Sequence, residues 1–274
     1  MMTDLAPELD LVVLFDIDMT LLDTDGAGRD ALSKAFLDLY GVPNAFDGIP
    51  FQGRTDSSIV RDALARHGLD GGTVREGAGS APDAVPGAAA DAAADAAADA
   101  VPAADELPSR DFIDRYVGRL ADELTAERGR VLPGVVDLLE SLDDEPAVRL
   151  GLATGNFRRS AAMKLRRYGL DRYLANGGFG DDSSDRAALV GIAARRLAEP
   201  PADVLVVVVG DTPLDVAAAH ANGFGAVAVA TGFCSRDELE RSGAEAVLDD
   251  LSNTVEALAA LRQAARPVLA VAQR

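Results

Sequence analysis

The chain has 274 residues, of which 48% are hydrophobic, so it is long enough to bury one large core or two modest ones. Its 45 acidic and 26 basic residues give a formal net charge of −19 at pH 7. A surface this acidic disfavours nucleic acids and anionic membranes as partners.

Short apolar segments recur along the chain and predict buried β-strands. The predicted strands are residues 11–15, 149–153, 178–180, 204–209, 226–230 and 246–248. Helical patterns lie among the later strands, at residues 135–142, 158–168, 185–198 and 213–222. Strands that alternate with helices indicate an α/β fold in which helices cover both faces of a parallel sheet.

The stretch between the first two predicted strands does not follow this alternation. It contains helical patterns at 28–40, 56–67 and 109–127, with no convincing strand between them. We therefore expect residues 24–130 to form a second, helical domain. Residues 1–23 and 131–274 would then form the sheet domain.

A low-complexity segment interrupts the helical insertion. Residues 77–107 include Asp91, Asp95 and Asp99, which are separated by triple alanines. Few side chains in this segment could be buried in a core. We expect a loop or a salt-dependent solvated helix there, and no site; the functional alternative is an acidic interaction arm.

Polar residues follow four of the predicted strands. In an open α/β sheet, ligands bind beyond the carboxyl ends of the strands, so these residues should share one crevice. Paired carboxylates repel one another unless a cation or a shared proton intervenes. Ligands that are all oxygen favour a hard cation, magnesium before zinc. The residues are Asp16 and Asp18, then Thr154, Gly155 and Asn156, then Asp181 and Asp182, and finally Asp211 and Asp215.

The segment Asp16-Ile17-Asp18-Met19-Thr20 after an apolar strand resembles the nucleophile motif of the haloacid dehalogenase superfamily. Thr154 and the Gly210-Asp211…Asp215 segment resemble two further motifs of that superfamily. Most of its members are magnesium-dependent phosphatases. The resemblance implies a Rossmann-like α/β core with an inserted α-helical cap domain. It also implies hydrolysis of a small phosphomonoester, similar to that by phosphoglycolate phosphatases.

The resemblance assigns roles to these residues. Asp16 would be the nucleophile that forms an aspartyl-phosphate, and Asp18 the general acid and then the general base. The Thr154 hydroxyl would bind a phosphoryl oxygen. The neighbouring Gly155 and Asn156 are candidates for the same phosphate site, and the alternative for Asn156 is a role in the turn. Asp16 and Asp211 would bind Mg²⁺ through their carboxylates, Asp215 would bind it directly or through water, and the backbone carbonyl of Asp18 would be a further ligand.

Two arginines complete the set of candidate residues. The superfamily usually has a lysine in its third motif, but residues 179–186 contain none, so Arg186 is the natural substitute. Arg54 precedes a predicted helix of the insertion, where it could bind a phosphate or carboxylate of the substrate. The alternative for this segment is purely structural, with Thr55 or Asp56 as the helix N-cap.

Three alternatives to a phosphatase remain open. A phosphomutase, similar to β-phosphoglucomutase, shares all these motifs and differs in its cap residues. A haloacid dehalogenase needs only one carboxylate in the first motif, so Asp18 argues against it. A non-catalytic binding protein with the same fold would not be expected to keep four carboxylates. The expected partner is a small phosphorylated metabolite.

The remaining composition bears on the cellular environment. Cys234 is the single cysteine, which excludes an intrachain disulfide and agrees with a reducing cytoplasm. We expect no signal peptide, since no basic region with a following apolar stretch opens the sequence. Lysine occurs only as Lys34 and Lys164. This acidic, lysine-poor composition resembles that of proteins from halophiles, in which molar salt reduces the Debye length to about 3 Å.

Overall fold

The computed structural model describes residues 10–69, 108–125, 127–198 and 204–267. The low-complexity segment 77–107 lies outside the described residues. The strands are β1 (Asp10–Phe15), β2 (Leu22–Asp23), β3 (Arg130–Val131), β4 (Val148–Ala153), β5 (Gly177–Gly178), β6 (Val204–Gly210), β7 (Gly225–Val229), β8 (Ala246–Leu248) and β9 (Arg266–Pro267). The helices are α1 (Ala27–Tyr40), α2 (Asp56–Arg66), α3 (Arg110–Glu123), α4 (Val135–Asp143), α5 (Arg158–Arg167), α6 (Arg186–Leu197), α7 (Pro213–Ala221), α8 (Arg236–Arg241) and α9 (Thr254–Ala264).

The main sheet has the strand order β5-β4-β1-β6-β7-β8, and all of these strands run parallel. The short strand β9 pairs antiparallel with the start of β6. This arrangement confirms the predicted α/β, Rossmann-like fold class. Strand β1 lies between β4 and β6, and Phe15 is level with Leu152 and Val209. The residues that directly follow these three strands therefore lie side by side at the same edge of the sheet.

The apolar composition of β1 places it in the centre of the sheet. Val13 and Phe15 pack into the core on one face, and Val12 and Leu14 pack into the core on the other. After Asp10, which begins the strand, every residue of β1 is apolar and buried, as is typical of a strand covered on both faces. The first polar side chain after it is Asp16, which reaches the edge of the sheet where the chain turns.

Helices α1, α2 and α3 form a separate layer over this edge. They share an apolar cluster that includes Phe36, Tyr40 and Phe112, and Phe157 from the sheet side joins it. The chain enters this layer through β2 and returns through β3, which pair antiparallel. Asp25 and Gly26 follow β2 in the left-handed region, with φ of 50° and 77°, and turn the chain into α1.

Several elements differ from the sequence-based predictions. The strand predicted at 178–180 is the two-residue β5, and the helix predicted over 109–127 ends at Glu123. Strands β2, β3 and β9 were not predicted, because two residues carry no periodicity. Helices α8 and α9 were also missed, although Ser235 and Glu238 form the capping box that begins α8. Among the described residues, every helix is too short or too polar to cross a bilayer.

Candidate active site

Three carboxylates meet beyond the carboxyl ends of β1 and β6. Asp16 directly follows β1, Asp211 directly follows β6, and Asp215 lies in the first turn of α7. Carboxylate oxygens from the three residues lie within 4.8 Å of one another, and all three residues are buried. We call Asp16, Asp211 and Asp215 the acid cluster.

Arg186, at the start of α6, is the cation that contacts the acid cluster. Its Nη2 atom is 3.2 Å from Asp16 Oδ2, and its Nε donates to Asp215 Oδ1 at 2.8 Å. Its side chain is only 9% exposed. Arg186, the expected substitute for the lysine of the third motif, thus lies beside the Asp16 carboxylate.

One guanidinium does not balance three carboxylates. When all four groups are ionised, the acid cluster and Arg186 carry a net charge of −2. Burial raises the pKa of Asp16 to about 6, although Arg186 lowers it. Burial, reinforced by Asp215 and Asp16, raises the pKa of Asp211 to about 8. The site is therefore short of positive charge.

The donor set of the acid cluster fits a hard divalent cation. Asp16 Oδ1 is buried and has no hydrogen-bond partner among the described residues. All the donors are carboxylate oxygens, which Mg²⁺ prefers. Gly232 packs directly against this carboxylate, since a Cβ atom there would lie 1.9 Å from Asp211 Oδ2. We find the residues compatible with a bound Mg²⁺.

Asp215 differs from the other two members because both of its oxygens are engaged. Arg186 binds Oδ1, and the backbone N and the hydroxyl of Thr212 donate to Oδ2 at 3.0 and 2.7 Å. Thr212 and Asp215 form the capping box of α7. Asp16 and Asp211 line the neighbouring cavity, whereas Asp215 lies behind them. Asp215 is therefore suited to orienting Arg186 and to stabilising, from the side away from the cavity, a cation bound by Asp16 and Asp211.

Asp18 lies in a second cluster, with Asn156 and Lys164, which we call the Lys164 cluster. Lys164 Nζ, on α5, is 2.7 and 2.6 Å from the two Asp18 carboxylate oxygens, and it is 2.6 Å from Asn156 Oδ1. Asn156 Nδ2 donates to Asp18 Oδ2 at 2.8 Å. Lys164 and Asn156 are buried, while the Asp18 side chain is 41% exposed.

The turn after Asp18 has an unusual backbone that fixes its position. Met19 has a φ of 60°, in the left-handed region, and its backbone N donates to Leu22 O at 2.7 Å. Three successive backbone N–H groups, of residues 20–22, donate to Ile17 O. The turn is thus closed by its own hydrogen bonds, and it directs Asp18 towards the cavity that contains Asp16.

Thr154, Gly155 and Asn156 follow β4, but they have different surroundings. Thr154 is fully buried, and its hydroxyl oxygen accepts a hydrogen bond from Asn156 Nδ2 at 2.9 Å. Gly155 and Asn156 line the cavity, whereas Thr154, whose hydroxyl we expected to bind a phosphoryl oxygen, is not among its lining residues. A Cβ atom at Gly155 would lie 2.2 Å from Arg54 O, so a glycine is needed for the helical layer to approach.

The start of α2 is bound directly to the loops of the sheet edge. Asp56 N donates to Gly155 O at 2.8 Å, and Asp56 Oδ2 accepts from Phe157 N at 3.2 Å. The Ser57 hydroxyl donates to Gly180 O at 2.7 Å. Burial raises the pKa of Asp56 to about 7, although Lys164 lowers it. The helical layer is therefore closed over the site.

A cavity of about 330 Å³ lies between the two layers. It is lined by Asp16, Asp18 and Asp211 from the sheet edge and by side chains of the helical layer. Arg54 is one of these lining residues, and its guanidinium pairs with Asp62 at 2.7 Å and donates to Ser58 O at 3.2 Å. Arg54 thus lines the cavity, while its guanidinium is held by residues of α2.

Sequence reasoning missed two residues of this site. Lys164 was noted only for its rarity, and Asp56 only as a helix cap. A signal for Lys164 existed, because it is one of two lysines in the chain and lies in a helix that otherwise uses arginine for its positive charges. No local signal showed that it contacts Asp18, which is 146 positions away.

Comparisons with known proteins agree with this arrangement. The model of a family described as haloacid dehalogenase-like hydrolase matches residues 11–223. A phosphoglycolate phosphatase from Synechococcus elongatus is 33% identical over 150 residues, which are 54% of this chain and 68% of that protein.

Solved structures share the fold. A predicted phosphatase from Clostridium acetobutylicum has a TM-score of 0.59 at 17% identity, over 92% of this chain and 100% of that one. CbbY from Rhodobacter sphaeroides, in complex with phosphate, has a TM-score of 0.59 at 19% identity, over 90% of this chain and 96% of that one. At these identities the similarity shows the fold alone.

Proposed function

The chain belongs to the haloacid dehalogenase-like hydrolases, and from this premise we propose that it is a magnesium-dependent phosphatase. Its substrate would be a small phosphomonoester, and the reaction would pass through an aspartyl-phosphate on Asp16. The observation that carries the proposal is the acid cluster, in which three buried carboxyl groups face one guanidinium and a buried Asp16 oxygen has no partner among the described residues. The relative from Synechococcus elongatus, named a phosphoglycolate phosphatase, supports the same reaction class.

In the first step, a carboxylate oxygen of Asp16 attacks the phosphorus atom of the ester. The bond between phosphorus and the leaving oxygen breaks, and its electron pair stays on that oxygen. Protonated Asp18 donates its proton to the leaving oxygen, so the product is a neutral alcohol. Asp18 lines the same cavity as Asp16 and is suited to this role.

In the second step, Asp18 acts as a base. Its carboxylate accepts a proton from water, and the water oxygen attacks the phosphorus atom of the aspartyl-phosphate. The bond between phosphorus and the Asp16 oxygen breaks, which restores the Asp16 carboxylate and releases inorganic phosphate. Asp18 ends the cycle protonated, ready for the next ester.

Asp16 and Asp211, the Asp18 backbone carbonyl and Asp215 from behind would hold the cation. Bound Mg²⁺ would supply positive charge that neutralises the phosphoryl oxygens and the carboxylates around them. Arg186 adds a permanent positive charge on the other side of Asp16. Gly155 and Asn156 would contact the phosphate from the end of β4, and the Thr154 hydroxyl would fix Asn156.

We propose that residues 24–130 act as a cap over this chemistry. The bonds of Asp56 and Ser57 to the sheet edge describe its closed position, and the 330 Å³ cavity would admit a small metabolite. Closure excludes bulk water from the site, and opening releases the product. Arg54 is positioned to contact the part of the substrate that faces the cap.

The environment we propose is the cytoplasm of a halophile. The low lysine content and the net charge of −19 support this proposal. At molar salt, repulsion between surface carboxylates is screened within a few ångströms. The test is whether the free energy of unfolding rises as the salt concentration is raised from millimolar to molar.

The proposed activity is tested by measuring phosphate release from a panel of phosphorylated metabolites, with Mg²⁺ and high salt. We expect turnover of at least one small ester without a bisphosphate activator, which separates hydrolysis from a phosphomutase reaction. The Asp16→Asn variant is the control. Absence of Mg²⁺-dependent phosphate release from every ester, including an activated aryl phosphate, would refute the proposal.

A further inference from the structure

We propose that Lys164 is a positioning residue for Asp18: its ammonium group, hydrogen bonded to both Asp18 oxygens and to Asn156, holds the carboxyl group in the orientation needed for proton transfer. This inference rests on the proposed phosphatase function. It concerns a residue that touches neither the acid cluster nor the reacting phosphorus atom.

The hydrogen bonds of Lys164 account for all of its donors. An ammonium group has three N–H donors, and Lys164 has three oxygen partners within 2.7 Å. The residue is 2% exposed, so water does not replace a lost partner. A buried ammonium without a counter-charge is costly, and Asp18 is therefore held firmly against Lys164.

Asp18 needs such support because of its own exposure. Its side chain is 41% exposed and lies on a turn, so packing alone does not fix its rotamer. Lys164 and Asn156 together give three hydrogen bonds to the carboxylate. Asn156 Nδ2 also donates to the Thr154 hydroxyl oxygen, which fixes Asn156. Hydrogen bonds thus connect Thr154, at the end of β4, through Asn156 to the Asp18 carboxyl group.

The helical layer completes the surroundings of Lys164. Gly28 of α1 lies so close that a Cβ atom there would be 3.4 Å from Lys164 Nζ and 3.8 Å from the Tyr116 hydroxyl. Both Gly28 and Tyr116 line the cavity beside Lys164. The ammonium group is thus enclosed by the sheet domain on one side and by α1 and α3 on the other.

The test uses the dependence of the rate on the leaving group. Cleavage of a 2,4-dinitrophenyl phosphate releases dinitrophenolate, which is a good leaving group without protonation. Cleavage of an alkyl phosphate releases a basic alkoxide, which needs general acid catalysis by Asp18. General acid catalysis contributes about 10²- to 10⁴-fold, so in Lys164→Met we expect kcat/KM for the alkyl ester to fall at least about tenfold. For the dinitrophenyl ester we expect a fall in kcat/KM of less than about threefold, because its bond breaks without the acid.

A second readout comes from the hydrolysis of the aspartyl-phosphate. This step needs Asp18 as a base for every substrate. Lys164→Met should therefore release one equivalent of dinitrophenolate in a rapid burst and then turn over slowly. The double variant Asp18→Asn/Lys164→Met should be no slower than Asp18→Asn alone, since the lysine acts only through Asp18.

The matched control is Lys34→Met. Lys34 is the other lysine of the chain, lies on α1 and pairs with Glu123 at the surface. This variant should keep the wild-type kcat/KM for both esters. Lys164→Arg keeps the buried charge, and its planar guanidinium is a poor match for these three acceptors. It should show the same selective loss, and it carries the test if Lys164→Met does not fold.

The outcomes separate the two proposals. An equal loss of kcat/KM for both esters in folded Lys164 variants would show a merely structural lysine and would overturn the positioning role. Additive losses in the double variant would overturn it as well. If the wild-type protein hydrolysed neither ester, the proposed function itself would fail.

Discussion

The acid cluster and the Lys164 cluster share one cavity, yet their charges are arranged in opposite ways. The acid cluster has three carboxylates and one guanidinium, and a buried Asp16 oxygen has no partner. The Lys164 cluster has one carboxylate and one ammonium, and the hydrogen bonds of both are satisfied within the cluster.

This difference assigns different chemistry to two aspartates that are separated by one residue. Asp16 lies where a divalent cation would restore neutrality, so it is suited to binding metal and to accepting a phosphoryl group. Asp18 already has its counter-charge, so it is suited to exchanging a proton from a fixed position. The counter-charges around each carboxylate, and not its residue type, distinguish the two roles.

The largest effect is expected from Asp16→Asn. An amide is a poor nucleophile, so turnover should fall by several orders of magnitude, as is usual when a nucleophile is removed. The measurement is kcat for the best ester of the panel, with circular dichroism to verify the fold. Retention of more than about one per cent of the activity would contradict nucleophilic catalysis by Asp16.

Removal of divalent cations should affect the acid cluster alone. Chelation should abolish turnover.

Without the cation, the raised pKa values of Asp16 and Asp211, about 6 and about 8, mean that the folded protein binds more protons than the unfolded chain. The free energy of unfolding should then fall as the pH rises from about 4 to about 8.

Mg²⁺ should reverse this trend, because it competes with protons for the same carboxylates. We expect Mg²⁺ to raise the melting temperature more at pH 8 than at pH 5, at constant high salt. Asp211→Asn should reduce the difference, and Lys34→Met should not. A Mg²⁺ effect that is equal or smaller at pH 8 would contradict a metal role for the acid cluster.

Gly155→Ala tests how the cap meets both clusters. The added methyl group would lie 2.2 Å from Arg54 O and 2.8 Å from Thr55 Cα, so the cap must move away from the sheet edge. A misplacement of about 1 Å can cost about 100-fold in rate, so we expect a clear loss of kcat/KM in a folded protein.

Gly118→Ala is the control for this substitution. Gly118 lies in α3 with open space around it, and alanine there should keep the activity and slightly raise stability. If Gly155→Ala kept wild-type kcat/KM, the closed position of the helical layer would have no role in turnover.

The smallest effect is expected from deletion of residues 77–107. This low-complexity segment lies outside the described residues and contributes no residue to either cluster. Turnover with the best ester should remain nearly unchanged. Loss of activity in a folded deletion variant would show that the segment contributes to the site.

The sequence was most informative where chemistry follows directly from an apolar strand. Asp16 and Asp211 directly follow β1 and β6, and the pairing of these strands brings the two residues together. Arg186 could be placed because it opens a helix at the same edge.

The sequence was least informative about contacts between distant segments. Lys164 meets Asp18 across 146 positions, and Asp56 meets Phe157 across 101. Such pairings depend on how α5 and α2 pack, which no local pattern encodes. The short strands β2 and β3 were missed for a similar reason, since their pairing joins positions more than 100 residues apart.

The most direct test of the central claim is a crystal structure of the protein with Mg²⁺ and beryllium fluoride, which mimics a phosphoryl group. We predict Mg²⁺ at about 2.0–2.1 Å from oxygens of Asp16 and Asp211, and beryllium bound to the Asp16 carboxylate. An acid cluster without a cation at saturating Mg²⁺, or a mimic bound away from Asp16, would contradict the account.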